Sequence, residues 1–279
     1  MTGEWNSRFN IPQSHLIWTR EYLGIDYEDP ELERFHSRFE RTIDHFSKSD
    51  PLIFGLREKI IEWDSEYRQS NRVGLLMTGG DDGLASHDLI YPVKVKSIES
   101  IINKAYRINK ILEDDPSIRD FQPIIPNQWM NQVTDICRGT IVCRYIDGPL
   151  YLGSRICEYL KSLGCYSNLV AVAKDRGYYA YHIEFTFPID VVNYRAGEAT
   201  REDIRFEMQI TTQLQQVLYS LTHPYYEMLR VGRVMEAENW QWEYDSVKFK
   251  SAYLSHTLHL LESLILEVRD SDYFKGERR

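Results

Sequence analysis

The sequence predicts an α/β domain built on a mixed β-sheet of about five strands flanked by helices, with helical additions at the N- and C-termini. Segments 177–185 and 206–211 predict the sheet, because their side chains alternate with the two-residue period of a strand. Apolar residues that recur every three or four positions predict the helices. The order, helices followed by β-α-β-β-β-α-α, favours a single mixed sheet.

The predicted elements have recognisable boundaries. Asp29-Pro30 and Asp50-Pro51 are typical helix starts, Ser97 is a predicted N-cap, and Gly164 ends a helix. The predicted helices are 30–46, 51–69, 97–112, 149–163, 212–229 and 251–268. The predicted strands are 87–96, 133–145, 168–173, 177–185 and 205–211. The glycine-rich segment 78–86 is predicted to be a loop, and 189–203 a polar connection.

These elements group into three predicted parts. Residues 1–48 form an N-terminal helical extension, residues 49–235 the α/β domain, and residues 236–279 a C-terminal helical extension. The N-terminal extension is predicted to pack on the domain, with a partner-binding helix as the alternative.

Composition limits the classes of function. The 279 residues are 43% apolar and 27% charged, which is typical of a globular protein. No apolar run approaches the roughly 20 residues of a membrane span. The first ten residues lack the basic and apolar segments of a secretory signal. We therefore expect a cytoplasmic protein that has no membrane partner.

Charge and cysteine usage narrow the classes further. The net charge of −9 disfavours broad, nonspecific binding to nucleic acid, although a local basic patch remains compatible with it. The four cysteines show no C-x-x-C pair, which argues against structural zinc and a disulfide framework. We expect reduced, buried thiols.

A predicted strand–helix junction carries positive charge. Lys94 and Lys96 share one face of a strand, and Ser97 and Ser100 lie in the first turn of the next helix. Two ammonium groups beside the free N–H groups of a helix start can bind a polyphosphate. The alternative is a pair of solvated lysines on an edge strand.

Two carboxylates fall on predicted strands of the same sheet. Asp135 begins one strand, and Glu207 interrupts an otherwise apolar one. One or two carboxylates are what Mg²⁺ usually takes from a protein. Arg138 lies three residues after Asp135, where it can reach a phosphate or form an internal salt bridge. Two unrelated carboxylates are the alternative.

The strand at 177–185 adds an aromatic ring and a histidine on one face. Tyr178 can stack on a planar base, while Lys174 and Arg176 precede it and can meet phosphates. His182 shares the face of Tyr178, and a structural histidine is its alternative role. His223, before a proline, can orient the site or cap its helix. Tyr179, Tyr181, Ile183 and Phe185 are predicted to face the core.

Together these segments resemble the RelA/SpoT-type nucleotide pyrophosphokinases, particularly the small alarmone synthetases. The resemblance covers about residues 50–230. The matching segments are Lys94–Ser100 with R-x-K-x-x-x-S, Thr134–Ile136 with an Asp-led strand, Lys174–His182 with K-x-N-G-Y-x-S-x-H, Glu207–Thr212 with E-x-Q-I-R-T, and His223 at the small-synthetase spacing.

The resemblance implies a nucleotidyltransferase-like synthetase fold and a reaction. In that family, ATP donates its β,γ-pyrophosphate to the ribose 3′-hydroxyl of GDP or GTP with Mg²⁺ as cofactor. The implied ATP-binding residues are Lys94, Lys96, Ser100 and Arg138. The implied catalytic and metal-binding residues are Asp135 and Glu207. The implied acceptor-binding residues are Lys174, Arg176, Tyr178, His182, Gln209 and His223. Because no His-Asp hydrolase set is visible, we expect synthesis only.

Departures from the family motifs leave the acceptor open. Lys94 and Thr211 stand where the family has arginine, and Tyr179 and Ala180 stand where it has Gln and Ser. The D-x-x-R-G-T order around Asp135 is similar to divergent members, some of them toxins, which pyrophosphorylate adenosine nucleotides or the 3′-CCA end of tRNA. A tRNA acceptor needs a local basic patch, for which the candidates are Lys174, Arg176, Arg201, Arg205, Arg230 and Arg233. A catalytically degenerate nucleotide sensor is the remaining alternative. For the terminal helical extensions three roles stay open, which are self-association, inhibition of the domain and binding of an antitoxin protein.

Overall fold

The computed structural model describes residues 5–6, 11–26, 29–71, 73–77, 93–115, 117, 122–194, 198–230 and 239–271. Within these ranges the helices are α1 (Gln13–Leu23), α2 (Pro30–Ser49), α3 (Pro51–Asn71), α4 (Ile98–Glu113), α5 (Pro126–Gln132), α6 (Gly148–Ser162), α7 (Gln213–Arg230) and α8 (Val247–Asp270). The strands are β1 (Trp5–Asn6), β2 (Ile11–Pro12), β3 (Lys94–Val95), β4 (Cys137–Cys143), β5 (Ser167–Lys174), β6 (Tyr178–Val192) and β7 (Ala199–Thr212).

Five strands form the main sheet in the order β3-β4-β7-β6-β5, and β1 and β2 pair separately. Strand β3 runs antiparallel to β4. Because strands adjacent in the sheet are not all adjacent in sequence, the chain returns to insert β7 between β4 and β6. The predicted fold class, a mixed sheet of about five strands with helices, is confirmed.

The chain packs into two compact units. Unit 1 contains Met1–Asp50, Val93–Arg138 and Phe185–Glu207, and unit 2 contains Pro51–Pro92, Gly139–Glu184 and Met208–Arg279. Strands β4, β6 and β7 each contribute residues to both units. The predicted divisions after residues 48 and 235 stay predictions.

Unit 1 has an aromatic core. The rings of Phe185 and Phe206 stack at 5.4 Å, and Phe46 of α2 packs 5.6 Å from Phe206. Helix α2 presents this ring because its apolar residues recur at helical spacing. The Asp29 carboxylate accepts a hydrogen bond from Glu31 N, and Pro30 occupies the first helical position, so the predicted helix start is confirmed.

Unit 2 has an aliphatic core between α3, α6 and β5. Ile60 of α3 and Ile156 of α6 are both fully buried. Gly153 lets α6 approach closely, since a Cβ there would lie 2.8 Å from Leu169 of β5. The predicted end of α6 is confirmed, because Gly164 follows the helix with φ +77°.

The strand predicted at 133–145 is shorter than expected. Strand β4 begins at Cys137, and the sequence-based assignment of Asp135 to a strand was wrong. Asp135 has φ +61°, in the left-handed region, which breaks the extended backbone before β4. The short helices α1 and α5 were not predicted, because their apolar patterns are brief or weak.

The two strands that come last along the chain, β6 and β7, are longer than predicted. Strand β6 continues through Val192 because Phe187, Ile189 and Val191 extend the buried alternation. The connection predicted at 189–203 was therefore too long, and β7 begins at Ala199. Helix α8 begins at Val247, with Ser246 as its N-cap.

Part of the predicted N-terminal sheet edge lies outside the described residues. The loop predicted at 78–86 and most of the strand predicted at 87–96 lie outside the described residues, and β3 covers only Lys94–Val95. In the described part of the chain, no helix is both long and apolar enough to cross a membrane. The four cysteines are free. Cys137, Cys143 and Cys157 are buried as predicted, whereas Cys165, just after α6, is only half-buried. Burial raises the pKa of Cys137 and Cys143, which keeps both thiols neutral.

Candidate functional site

A cluster of charged side chains in unit 1 surrounds Asp135. Its Oδ2 lies 2.5 Å from Lys96 Nζ, and its Oδ1 contacts Lys104 Nζ. Lys104 Nζ also donates to Thr134 O at 2.7 Å and to Thr134 Oγ1 at 2.9 Å. The side chains of Asp135 and both lysines are only 14–18% exposed. Asp135 is therefore held by two ammonium groups.

Local structure positions Lys96 and the start of α4. Lys96 follows β3, its N–H donates to Ile136 O at 2.9 Å, and His36 Nε2 donates to Lys96 O at 2.7 Å. Ser97 caps α4 by accepting from Ser100 N, and its hydroxyl donates to Ser100 Oγ at 3.1 Å. The predicted junction of lysines and a capped helix start is confirmed as local structure.

The sheet register adds a third and a fourth cation. Lys94 of β3 lies directly opposite Arg138 of β4. Residues opposite each other in an antiparallel pair project from the same face, so these two side chains are neighbours. Lys96 has the parity of Lys94 and shares this face. Lys94 and Arg138 thus add two cations to the face of the sheet that carries Lys96.

The electrostatics of the cluster favour bound anions. Burial lowers the pKa of Lys96, with Lys104 and Arg138 lowering it further and Asp135 opposing both effects. Burial alone would raise the pKa of Asp135, but Lys96 and Lys104 outweigh it and lower that pKa. Asp135 is therefore ionised, and the surplus positive charge favours a polyanion.

Lys104 was not predicted as a site residue. It lies four residues after Ser100 on α4, so it shares a helix face with the predicted phosphate-binding turn. That spacing is the sequence signal that could have identified it.

Glu207 also lies in unit 1. It is 8% exposed on β7, between the fully buried Phe206 and Met208. With Asp135 it provides two carboxylates, which is the number and type that Mg²⁺ takes when phosphates complete its coordination. In the described ranges no group of three or more His, Cys, Asp or Glu side chains could hold a metal ion. Asp135 is paired with Lys96 and Lys104 in this structure. The two carboxylates fit Mg²⁺ on the condition that both lysines leave Asp135 and pair with phosphates instead.

A second cluster, in unit 2, is aromatic. The Tyr178 hydroxyl and His182 Nε2 share a hydrogen bond of 2.9 Å, and Tyr219 of α7 lies 6.0 Å from Tyr178 between ring centroids. His223 packs edge-on against Tyr219 at 4.9 Å. Lys174 Nζ lies 5.4 Å from the centre of the Tyr178 ring. The structure thus brings four predicted acceptor residues into one group.

The other predicted acceptor residues are placed separately. The Arg176 guanidinium lies 4.9 Å from the ring of Tyr226, whose hydroxyl donates to Arg176 O at 3.4 Å. Gln209 is half-buried on β7. Gly177 has φ +84°, and a Cβ there would lie 2.5 Å from Ser255 Cβ, so only glycine fits this turn.

The candidate basic patch for a tRNA acceptor is only partly described. Arg201 is exposed and pairs with Asp190 at 3.3 Å, which offsets its charge. Arg205 is exposed on β7. The side chain of Arg230 and the whole of Arg233 lie outside the described residues.

Helix α8 covers Tyr179, which sequence reasoning did not predict. The ring of His259 stacks on Tyr179 at 3.8 Å with an interplanar angle of 4°. The Tyr179 hydroxyl lies 2.5 Å from His256 Nδ1, while His256 Nε2 donates to Asp175 O at 2.8 Å. Since Nε2 carries the proton in a neutral ring, Nδ1 accepts from Tyr179. The sequence signal for this contact is the pair His256 and His259, which lie three residues apart on α8.

Another unpredicted contact fixes the end of α8. The Arg269 guanidinium makes two hydrogen bonds to the Asp147 carboxylate, of 3.2 and 3.0 Å, and one to the Tyr67 hydroxyl at 2.5 Å. Its side chain is 8% exposed and lies 5.0 Å from the centre of the Tyr145 ring. Such bidentate pairing is a strong form of ion pair, so it anchors α8 within unit 2.

Glu262 of α8 has a buried carboxyl group. Its side chain is 4% exposed, and neither carboxylate oxygen accepts a hydrogen bond of good geometry from the described residues. The His259 Nδ1 lies 3.6 Å away, but burial lowers the pKa of His259, so this ring does not supply a compensating positive charge. Burial raises the pKa of Glu262, although Thr212 and Gln215 lower it in part. The native state therefore favours the neutral acid.

We expect Glu262→Gln to increase the free energy of unfolding at pH 7 by roughly 1 kcal/mol, because an uncharged amide replaces a buried carboxylate. A raised native pKa means that stability is lost as pH rises from the unfolded pKa through the native one. The difference between variant and native chain should therefore disappear below about pH 4. Urea denaturation across this pH range measures it.

Glu267→Gln is the matched control, since Glu267 is exposed on the same helix. An equal gain in the control, or a loss in Glu262→Gln at pH 7, would contradict the assigned burial cost.

No protein-family profile matches this sequence, and no curated protein matches it. Among solved structures, the chain is similar to small alarmone synthetase 1 from Bacillus subtilis bound to its product pppGpp, with 18% identity, a TM-score of 0.49, and 86% of this chain and 97% of that chain covered. It is similar to the same synthetase bound to AMPCPP at 16% identity and TM-score 0.46, covering 83% and 100%. A GTP pyrophosphokinase family protein from Streptococcus pneumoniae is 17% identical at TM-score 0.40, covering 79% and 91%. Because these values are low, function is argued from the chain's own residues.

Proposed function

We propose that this chain is a nucleotide pyrophosphokinase that transfers the β,γ-pyrophosphate of ATP to the ribose 3′-hydroxyl of GDP or GTP. The charged cluster around Asp135 supports the proposal most directly. It combines Lys96, Lys104 and a capped helix start with a carboxylate that is already ionised. A polyphosphate and a divalent cation are the ligands that this chemistry suits.

The triphosphate of ATP is assigned to unit 1. Lys94, Lys96 and Arg138 share one face of the β3–β4 pair, and Ser100 lies in the first turn of α4. Lys104 joins this set through its contact with Asp135. When phosphates enter, the two lysines would exchange one carboxylate for several phosphate oxygens, so both ammonium groups would keep anionic partners.

Asp135 and Glu207 would hold Mg²⁺ together with the phosphates. The ion would neutralise charge that develops on the transferred group. Release of Asp135 by Lys96 and Lys104 would couple metal binding to phosphate binding, since both ammonium groups would need a new anionic partner. Asp135 would then have a cationic partner with or without the metal.

The acceptor nucleotide is assigned to the aromatic cluster of unit 2. Tyr178 would stack on the base, a contact worth about 1–3 kcal/mol in nucleic-acid sites. His182 and Tyr219 fix the orientation of this ring. Lys174 and Arg176, at the turn before β6, would meet the phosphates, and Gln209 and His223 would complete the acceptor site.

The proposed step is a single displacement. The 3′-oxygen attacks the β-phosphorus, the bond from that phosphorus to the bridging oxygen of the α-phosphate breaks, and AMP leaves. Glu207, as a carboxylate, would take the hydroxyl proton. Orientation and charge stabilisation would supply most of the rate acceleration, as in other phosphoryl transfers.

The test incubates the full chain with Mg²⁺ and ATP labelled on its terminal phosphate, offering GDP, GTP, ADP, ATP or bulk tRNA separately as acceptor. We expect label in a 3′-pyrophosphorylated guanosine nucleotide, with one AMP released per product. Release of ADP instead would indicate transfer of a single phosphoryl group and contradict the proposal.

The same experiment separates the alternatives. Label in tRNA or in an adenosine nucleotide, with none in a guanosine nucleotide, would retain pyrophosphate transfer and replace the acceptor. Nucleotide binding without AMP release under any condition would instead identify a sensor and overturn the enzymatic proposal. Labelled product and AMP are read from a chromatographic separation of nucleotides and precipitated RNA, and nucleotide binding without turnover is read from a separate titration.

A further inference from the structure

Unit 2 contains a cavity that the proposed reaction does not use. It has a volume of about 350 Å³, within the range of small-molecule sites, and lies where β5, β6, β7, α7 and α8 meet. None of the predicted ATP or acceptor residues is among those that line it. The lining does include Tyr179 and Ala180, the two positions at which β6 departs from the family motif.

Small side chains create the space. Ala171 and Ala173 of β5 and Ala180 of β6 all line the cavity. Strands β5 and β6 are neighbours in the sheet, so these alanines leave a shallow surface with few atoms above it. Larger residues at these positions would fill the volume. The cavity is therefore a consequence of side-chain choice on two adjacent strands.

Flat rings form its walls. The Tyr179 and His259 rings are stacked face to face at 3.8 Å, and Tyr181 contributes a third ring. Tyr179 is held at its hydroxyl by His256, which keeps the ring in place. Fixed aromatic rings favour stacking by a planar ligand, because little side-chain freedom is lost on binding.

The polar groups at the cavity are uncharged. Its lining, as far as the chain is described, contains no Lys, Arg, Asp or Glu. Thr211 donates to Tyr179 O at 3.0 Å, so its oxygen retains lone pairs that can accept from a ligand N–H. Gln215 is ordered by the Ser255 hydroxyl, which donates to its Oε1 at 2.9 Å. A phosphate would find no cationic partner here, whereas a heterocycle would find stacking and hydrogen bonds.

The carboxylate of Glu262 lies behind three lining residues. His259 is 3.6 Å away, and Thr212 and Gln215 are close enough to influence its ionisation. Both of its oxygens are buried without a well-formed hydrogen bond from the described residues. Glu262 does not itself line the cavity, so it acts on the lining only through its three neighbours.

We propose that this cavity is a second binding site of the chain, for an uncharged planar heterocycle such as a nucleobase or nucleoside. Contact with Tyr181 and with the outer faces of the stacked Tyr179–His259 pair supplies the affinity, and Thr211 and Gln215 supply polar contacts at the ring edge. The inference is independent of the proposed pyrophosphate transfer, since the lining contains none of the residues assigned to that reaction.

The test titrates the full chain with adenosine, guanosine, cytidine and uridine, one at a time, by calorimetry. Ala171→Trp fills the cavity from an exposed position of the edge strand β5 and should not impair folding. Val170→Trp is the matched control, because Val170 is an exposed neighbour that does not line the cavity. Thermal melting confirms that both variants fold.

We expect at least one nucleoside to bind, with affinity lowered roughly tenfold or more in Ala171→Trp and changed by less than about twofold in Val170→Trp. His259→Ala should weaken binding in the same direction, since it removes one wall. No binding by any of the four nucleosides, or unchanged binding in Ala171→Trp, would overturn the proposal. Pyrophosphate transfer by Ala171→Trp, measured from labelled ATP, reports the other proposal separately.

Discussion

The Glu207→Gln variant is expected to form the 3′-pyrophosphorylated product on the order of 10²–10⁴-fold more slowly than the native chain, the range by which positioned acid–base groups contribute to catalysis. Glutamine keeps the volume of the side chain at a position that is 8% exposed, between Phe206 and Met208. It removes the charge that would bind Mg²⁺ and the base that would take the 3′-hydroxyl proton. Initial rates of AMP release at saturating nucleotide measure the loss.

Asp203→Asn provides the control for this prediction. Asp203 lies four residues earlier on β7 and is exposed, so its neutralisation changes net charge equally without altering the buried position. We expect its rate to match that of the native chain. A Glu207→Gln variant as active as Asp203→Asn would remove Glu207 from both of its assigned roles.

Asp135→Asn is expected to affect both stability and transfer. Lys96 and Lys104 would lose their shared carboxylate while remaining largely buried. We expect a loss of roughly 2–4 kcal/mol in the free energy of unfolding, at or below the usual cost of breaking a buried ion pair, because Lys104 keeps its bonds to Thr134. Under the proposed function, transfer should fall as well, since Mg²⁺ would lose a ligand. Urea denaturation and AMP release measure the two effects.

Asparagine is the appropriate replacement at this position. Asp135 has φ +61°, which asparagine tolerates better than most residues, so the variant adds little backbone strain. Asp114→Asn is the control: its carboxylate is 71% exposed and 3.7 Å from Lys110, and its loss should cost less than about 1 kcal/mol. Equal stability losses in the two variants would show that the Asp135 cluster is no stronger than a surface ion pair.

The charged cluster around Asp135 could be predicted only in part from the sequence. Lys94, Lys96 and Ser100 are local, because a short strand and a capped helix start place them within seven residues. Their grouping depends on backbone periodicity alone, and it was predicted. The partnership of Lys96 and Lys104 with Asp135 joins residues more than 30 positions apart, and no local pattern contains it.

The contacts of helix α8 were still harder to predict from the sequence, because their partners lie further apart along the chain. Its helical spacing was predicted, although it begins earlier than expected. The partners of its polar side chains were not, since Tyr179 and His256 are separated by 77 positions and Asp147 and Arg269 by 122. Alternation on β6 predicted a core role for Tyr179 and Tyr181. Instead, both rings are half-buried walls of a cavity, whereas Ile183 and Phe185 occupy the core as predicted.

The sequence by itself determined the α/β class, the capped helices, the alternating strands and the chemical types gathered at each candidate site. These features depend on side-chain period, backbone preference and short-range capping, which act within a few residues. Only the tertiary structure decided that β7 inserts between β4 and β6, that two lysines hold Asp135, and that α8 encloses the cavity beside Tyr179. Those outcomes depend on packing and charge pairing between distant segments, which become adjacent only when the chain folds.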